Sequence, residues 1–181
     1  MQEPVYRALE NHYNRYRFRS RIEARWAVFF DALGISYGYE VEGFETGLGP
    51  YLPDFWLPQQ DCWIEIKGKA PTHEETRRLQ TVCNTTEKMG FIFFGSIPMP
   101  NGPTENNSAH ALWWDDGGWD CDYRWCQCPV CGKLGIQYEG LADRLGCGCG
   151  LSHKTRTADA PPLLAAYIEA RSVRFGEHRA R

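Results

Sequence analysis

Apolar residues recur at helical spacing from Ile22 through Trp26 and Phe29 to Leu33, with Ser20 ahead of them and Gly34 behind, which predicts a helix over about 20–33. The period then shortens. Segments 35–44 (ISYGYEVEGF), 51–58 (YLPDFWLP) and 62–68 (CWIEIKG) read as three strands, near enough in sequence to form an antiparallel meander. Thr72 opens a second helix through about Met89, with Glu75 in the capping-box position. Segment 91–96 (FIFFGS) is a short apolar run typical of a central strand, so the element order is α-β-β-β-α-β.

Beyond this alternation the pattern changes. Segment 97–109 is rich in Pro, Asn and Gly and reads as a connecting loop, 111–120 reads as a hairpin turning at Asp116-Gly117-Gly118, and 163–175 as a last short helix after Pro161-Pro162. The expected organisation is a basic N-terminal arm over 1–17, an α/β core over 18–110, a cysteine-rich region over 111–160 and a C-terminal helix with a basic tail over 161–181. At 181 residues and 43% hydrophobic, the chain can fill one ordinary core and a small appendage. Residues 1–25 hold six Arg against three Glu and residues 151–181 hold six Lys or Arg against three acids, while the net charge is -3, so basic ends flank an acidic centre. That distribution suits a polyanionic ligand held at the edges of a cation site, and equally a merely soluble surface. No stretch is apolar enough to span a membrane or act as a signal peptide, which leads to the expectation of a reducing, cytoplasmic setting and no membrane partner.

One departure from the strand pattern carries chemistry. In 63–69 (WIEIKGK), alternation places Trp63, Glu65 and Lys67 on one face and Ile64 and Ile66 on the other, so two charges share a strand that otherwise reads as buried. A buried charge costs several kcal/mol unless it is paired or bound to metal. A second charge, Asp54, interrupts the apolar run Tyr51, Leu52, Phe55, Trp56, Leu57. Two carboxylates on adjacent strands are what a hard cation such as Mg²⁺ (or Mn²⁺) requires, and a lysine beside them can orient an attacking water and offset charge on phosphate oxygens. Lys69 falls on the same face, and Glu40 and Glu42 lie within reach as ordinary polar strand residues.

The run Pro53-Asp54 followed by Glu65-Ile66-Lys67, in this element order, resembles the signature of the PD-(D/E)XK nuclease superfamily over about residues 18–96. The resemblance implies a restriction-endonuclease-like αβββαβ core with a mixed central sheet. It further implies Asp54 and Glu65 as Mg²⁺ ligands, Lys67 as the lysine that orients water, and Glu23 of the first helix as an auxiliary acid. Glu23 is also the capping-box partner of Ser20, a structural role that would by itself explain it. A Mg²⁺-dependent DNA endonuclease leaving a 5′-phosphate and a 3′-hydroxyl is the implied activity, with a homodimer able to supply a second cut. The alternatives are a structure-selective nickase or junction resolvase, and a non-catalytic nucleic-acid-binding protein built on an inactive nuclease scaffold.

Five of the eight cysteines fall between positions 126 and 149. Cys128-Pro-Val-Cys131-Gly and Cys147-Gly-Cys149-Gly form two knuckles whose four thiolates suit a tetrahedral structural Zn²⁺, and the segment resembles a small zinc-ribbon domain. The second knuckle is Cys-x-Cys, so Cys126 or His153 is an alternative to Cys149. Trp113, Trp114, Trp119, Tyr123 and Trp125 precede the knuckles, and Lys133, Arg144, Lys154 and Arg156 surround them, a mixture that either stacks on nucleic acid or serves packing and solubility. Cys62, Cys83 and Cys121 read as small buried apolar residues.

Overall fold

The computed structural model describes residues 11–98, 109–112 and 119–175. The reading of residues 1–10 as a basic arm, of the turn at 116–118, of Trp113 and Trp114, and of 176–181 as a basic tail lies outside the described residues, as do the side chains of Trp119 and Cys121. A hairpin of β1 (Asn11–Tyr13) and β2 (Tyr16–Phe18) precedes α1 (Arg21–Ala32). Ser20 caps α1 in an extended conformation, its hydroxyl accepting the Glu23 N–H at 3.2 Å. Gly34, at φ +65°, turns the chain away after the last turn.

Seven strands form one mixed sheet. They are β3 (Gly38–Tyr39), β6 (Phe55–Leu57), β7 (Cys62–Lys67), β8 (Met89–Phe94), β9 (Ala109–Leu112), β10 (Trp119–Gln127) and β11 (Leu134–Tyr138), in the spatial order β11-β10-β9-β8-β7-β6-β3. Every neighbouring pair is antiparallel except β7 and β8, whose parallel register from Cys62↔Met89 to Lys67↔Phe94 is reached through the crossover helix α2 (His73–Thr86). The expectation of a mixed α/β architecture is met. The β9, β10 and β11 strands continue that same sheet, so the segment leading to the cysteines shares hydrogen bonds and core with residues 38–94.

Both faces of the sheet are covered, which explains why β7 reads as a nearly continuous apolar run. On one face, Ile64, Ile66, Phe91 and Phe93 join Phe29 and Phe30 of α1, Trp125 of β10 and Leu163, Ala166 and Tyr167 of α3 (Pro161–Ser172) in one core cluster. On the other, Trp63 and Ile92 pack with Leu79, Val82 and Cys83 of α2. The Trp63 and Ile64 faces are therefore opposite, as alternation requires. Gly90 lets α2 sit this low, since a β-carbon there would collide with Cys83 Sγ and Leu79 Cγ.

The predicted first and second strands are shorter than their sequence pattern. Segment 35–44 pairs only at Gly38 and Tyr39, after which Glu40 takes a left-handed conformation (φ 49°) and leaves the sheet. Residues 44–51 instead form a separate hairpin of β4 (Phe44–Thr46) and β5 (Gly49–Tyr51). Segment 51–58 contributes only Phe55–Leu57 to the main sheet. Pro50 and Pro53 have no N–H to donate, so continuous pairing through this segment is blocked. The C-terminal helix begins two residues earlier than its apolar pattern, because Pro161 and Pro162 are tolerated in a first helical turn.

Candidate functional site

Antiparallel pairing sets the start of β6 beside the end of β7. The register Phe55↔Ile64, extended by one residue, places Asp54 next to Glu65, and the Ile66 N–H donates to Asp54 Oδ2 at 2.7 Å. The N-terminus of α1 and that of α2 converge on the same end of the sheet. The result is a cleft of about 1020 Å³ whose lining includes Glu23, Tyr51, Asp54, Glu65, Lys67 and Glu75. Asp54, Glu65 and Glu23 are 6%, 4% and 6% exposed, and they are the only buried carboxylates among the described residues. All four residues expected from sequence to carry chemistry are thus brought together.

The two central carboxylates each have one oxygen held by the protein. Asp54 Oδ2 accepts from the Ile66 amide, and Glu65 Oε1 meets Lys67 Nζ at 2.7 Å. Glu65 Oε2 is buried without a hydrogen-bond partner among the described residues. Lys67 Nζ also lies 3.3 Å from Glu75 Oε1. Burial pushes the Asp54 carboxyl well above the usual range, and the charges of Glu65 and Glu23 push it further, against the opposing Ile66 N–H. Burial likewise raises Glu65, with Lys67 opposing. Burial pulls Lys67 down, but Glu65, Glu75 and Asp54 outweigh it and the ammonium is held above its ordinary value. Burial thus makes both carboxyls reluctant to ionise, and one oxygen of Glu65 is left without a well-placed partner.

Glu23 is more constrained than its neighbours. Its carboxylate accepts from the Tyr39 hydroxyl at 2.7 Å, the Ser20 hydroxyl at 2.6 Å and the Arg19 N–H at 3.2 Å. It therefore ties α1 to β3 as well as facing the cleft. On the rim, Arg19 pairs with Glu40 at 2.6 Å and Arg78 with Glu74 at 2.7 Å, and Lys69 lines the same opening. Glu42 is exposed.

Three contributors were not legible as site residues in the sequence. Glu75 reads there only as a capping-box residue, and it does fill that role, with the Thr72 N–H donating to it at 2.8 Å. Its closeness to Lys67 follows from the short connection after β7, a signal that was present. Tyr39 and Tyr51 read as ordinary strand residues, and nothing in the pattern distinguishes their hydroxyls.

At the far side of the chain, the sulfurs of Cys128, Cys131, Cys147 and Cys149 all lie within 4.8 Å of one another, a group that could hold a metal ion such as zinc. Tetrahedral Zn–S bonds of ~2.3 Å imply sulfurs ~3.8 Å apart, close to this arrangement. Cys126 and His153 are not in the group. Cys126 is buried in β10 with its thiol on the Gly135 carbonyl at 3.6 Å, and His153 lies 3.6 Å from Asp143. The Cys131 N–H, donating to Cys128 Sγ at 3.5 Å, draws the Cys128 thiol down to about 6, whereas hydrogen bonding with Cys131 and Cys147 pushes Cys149 up to about 12. Cys62 and Cys83 are buried in the core, as expected. Tyr123 and Trp125 are buried too, Trp125 within 5.7 Å of the Phe29 ring, so these two aromatics serve packing.

No family model, curated protein or solved structure matches this chain. Among the described residues no helix is long and apolar enough to cross a membrane.

Proposed function

We propose that this protein is a divalent-cation-dependent DNA endonuclease of the PD-(D/E)XK type, built on a restriction-endonuclease-like core. The observation that carries the reading is that every buried carboxylate among the described residues lines one cleft, beside a lysine, with Glu65 Oε2 left unpaired. Asp54 and Glu65 would hold Mg²⁺ or Mn²⁺. When bound, that ion supplies Lewis acidity toward a phosphodiester and a positive charge that offsets the two carboxylates. Lys67, steadied by Glu65 and Glu75, donates hydrogen bonds to the attacking water and orients it toward phosphorus. Glu23 supports the site by fixing the α1 N-terminus and adding a third negative charge near Asp54. Water attacks phosphorus and the P–O3′ bond breaks, leaving a 5′-phosphate and a 3′-hydroxyl. Lys69, Arg19 and Arg78 are the cleft-rim groups suited to flanking phosphates.

In this reading the four-cysteine region binds a structural Zn²⁺ and helps to position DNA. Its support is that Lys133 follows the first knuckle directly and that the Val130 side chain at the knuckle tip is 69% exposed. Double-strand cutting would take a second copy of the chain.

The test is incubation with Mg²⁺ of supercoiled plasmid, linear duplex, single strands and a four-way junction, with and without EDTA, beside Lys67→Ala. EDTA-sensitive cutting that falls at least ~1000-fold in the folded, zinc-loaded variant supports the assignment. Full activity in Lys67→Ala rejects it, and the preferred substrate separates a nickase or resolvase from a double-strand cutter.

A further inference from the structure

Tyr51 closes strand β5, in the hairpin that stands off the main sheet. That hairpin is fixed from two sides. Phe44 packs edge-on against Trp63 at 5.3 Å, and Thr46 Oγ1 donates to the Gly49 carbonyl at 2.6 Å. Tyr51 itself packs against the cluster of Trp63, Leu79 and Val82, which leaves its ring little freedom. Its hydroxyl lies in the cleft wall, buried beside the Glu65 carboxylate but without good hydrogen-bond geometry to any acceptor among the described residues.

A buried O–H without an acceptor is costly, and its presence calls for a reason. The usual remedy is close at hand, because Glu65 and Asp54 line the same cleft and are acceptors. Tyr51 and Glu65 are close enough to interact, but neither Tyr51 Oη nor Glu65 Oε2 has a partner in good hydrogen-bond geometry among the described residues. A cation on Glu65 would compete with the phenol for that carboxylate. A cation alone would satisfy Glu65 Oε2 and leave the phenol unpaired. A cation together with a phosphate oxygen satisfies both.

We infer that Tyr51 is a further catalytic residue, a hydrogen-bond donor to a non-bridging oxygen of the substrate phosphate. This rests on the nuclease reading above. Apart from Lys67 and the rim cations, the cleft wall consists largely of acidic and apolar groups, so an anionic substrate needs a donor that adds no charge near Asp54 and Glu65. A phenol held by packing is such a donor. Because it is preorganised, its benefit falls on the transition state, where charge on the phosphate oxygens is greatest.

The experiment compares wild type, Tyr51→Phe, Tyr37→Phe and Asp54→Ala on supercoiled plasmid with Mg²⁺, measuring kcat, KM and Tm for each. Tyr37 is the control. Its hydroxyl is also buried and unpaired, but it sits among Phe30 and Phe55, outside the cleft. The expected result is a kcat about 10- to 100-fold lower in Tyr51→Phe, with KM within about twofold and Tm close to wild type, because the hydroxyl makes no well-formed hydrogen bond. Tyr37→Phe should match wild type in kcat. A lower Tm with unchanged kcat in Tyr51→Phe would make the hydroxyl a structural partner of Glu65 and overturn the inference while leaving the nuclease reading intact. Wild-type protein that cuts no faster than Asp54→Ala would overturn both.

Discussion

The carboxylate cleft and the four-cysteine group are both clusters of potential metal ligands, and they are assembled in opposite ways. The cysteines come from two tight turns within 22 residues of chain, and their sulfurs already lie within 4.8 Å of one another. The cleft draws Glu23, Tyr51, Asp54, Glu65 and Glu75 from the ends of separate elements that the sheet must first bring together. A local cluster can help to fold its own segment once it binds metal, whereas the cleft exists only because the core has folded. Once it binds metal the first stabilises the fold, whereas the fold must tolerate the second, which concentrates three buried carboxylates in one cleft.

The largest expected effect lies on the cysteine side. Cys128→Ser or Cys147→Ser should release the bound zinc and unfold the cysteine-rich segment, since a structural zinc site contributes on the order of 10 kcal/mol to folding. Metal content and limited proteolysis read this out. If either variant kept full protease resistance without metal, the cluster would have no structural role. The matching change in the cleft, Glu65→Gln, should abolish cleavage, by at least ~1000-fold, and leave zinc content at the wild-type value. Its sharp contrast with the cysteine variants is the point of the pair.

A smaller effect reverses the usual sign of mutation. Asp54 and Glu65 have carboxyls raised in the folded state, so the folded protein binds more protons than the unfolded chain once pH exceeds the ordinary carboxylate range. Stability of the cation-free protein should therefore fall as pH rises from about 4 toward neutrality. At neutral pH without divalent cation, Asp54→Asn should raise Tm by about 2–4 °C, the equivalent of ~1 kcal/mol in a chain of this size. Mg²⁺ should stabilise wild type and not the variant. A variant that melts below wild type under these conditions would mean that the carboxylate is stabilising the fold.

The smallest effect concerns Glu75. Glutamine also serves in a capping box, so Glu75→Gln should keep the Thr72 cap and Tm while removing one of the two ion-pair partners of Lys67. A fall in kcat of roughly threefold to tenfold at unchanged Tm is expected, in line with a partly exposed ion pair. Unchanged kcat would leave Glu75 as a cap alone.

How far each region was legible in the sequence follows from the same contrast. The cysteine spacing announced its cluster because the ligands are neighbours in the chain, and the structure then separated Cys149 from Cys126 and His153 by position. The cleft was legible only through charges that broke an apolar pattern, namely Asp54, Glu65 and Lys67. Residues whose patterns had another sufficient explanation stayed hidden: Glu75 behind its cap, Tyr51 and Tyr39 behind strand propensity. The strand ends were overdrawn because hydrophobic alternation continues past Gly38–Tyr39 and ahead of Phe55, where a left-handed Glu40 and two prolines end the pairing. Nothing in the pattern revealed that β9 to β11 would extend the same sheet, since antiparallel partners so far along the chain leave no periodic trace.

The central claim is that the cleft takes a hard cation while the cysteines take a soft one. Its most direct test is Mn²⁺ binding to zinc-loaded protein at neutral pH, followed by paramagnetic resonance in wild type and in Asp54→Asn/Glu65→Gln. Bound Mn²⁺ in wild type that disappears in the double variant, with zinc content unchanged, is the predicted result. Mn²⁺ that fails to bind wild type at millimolar concentration, or that binds both proteins equally, would contradict the account.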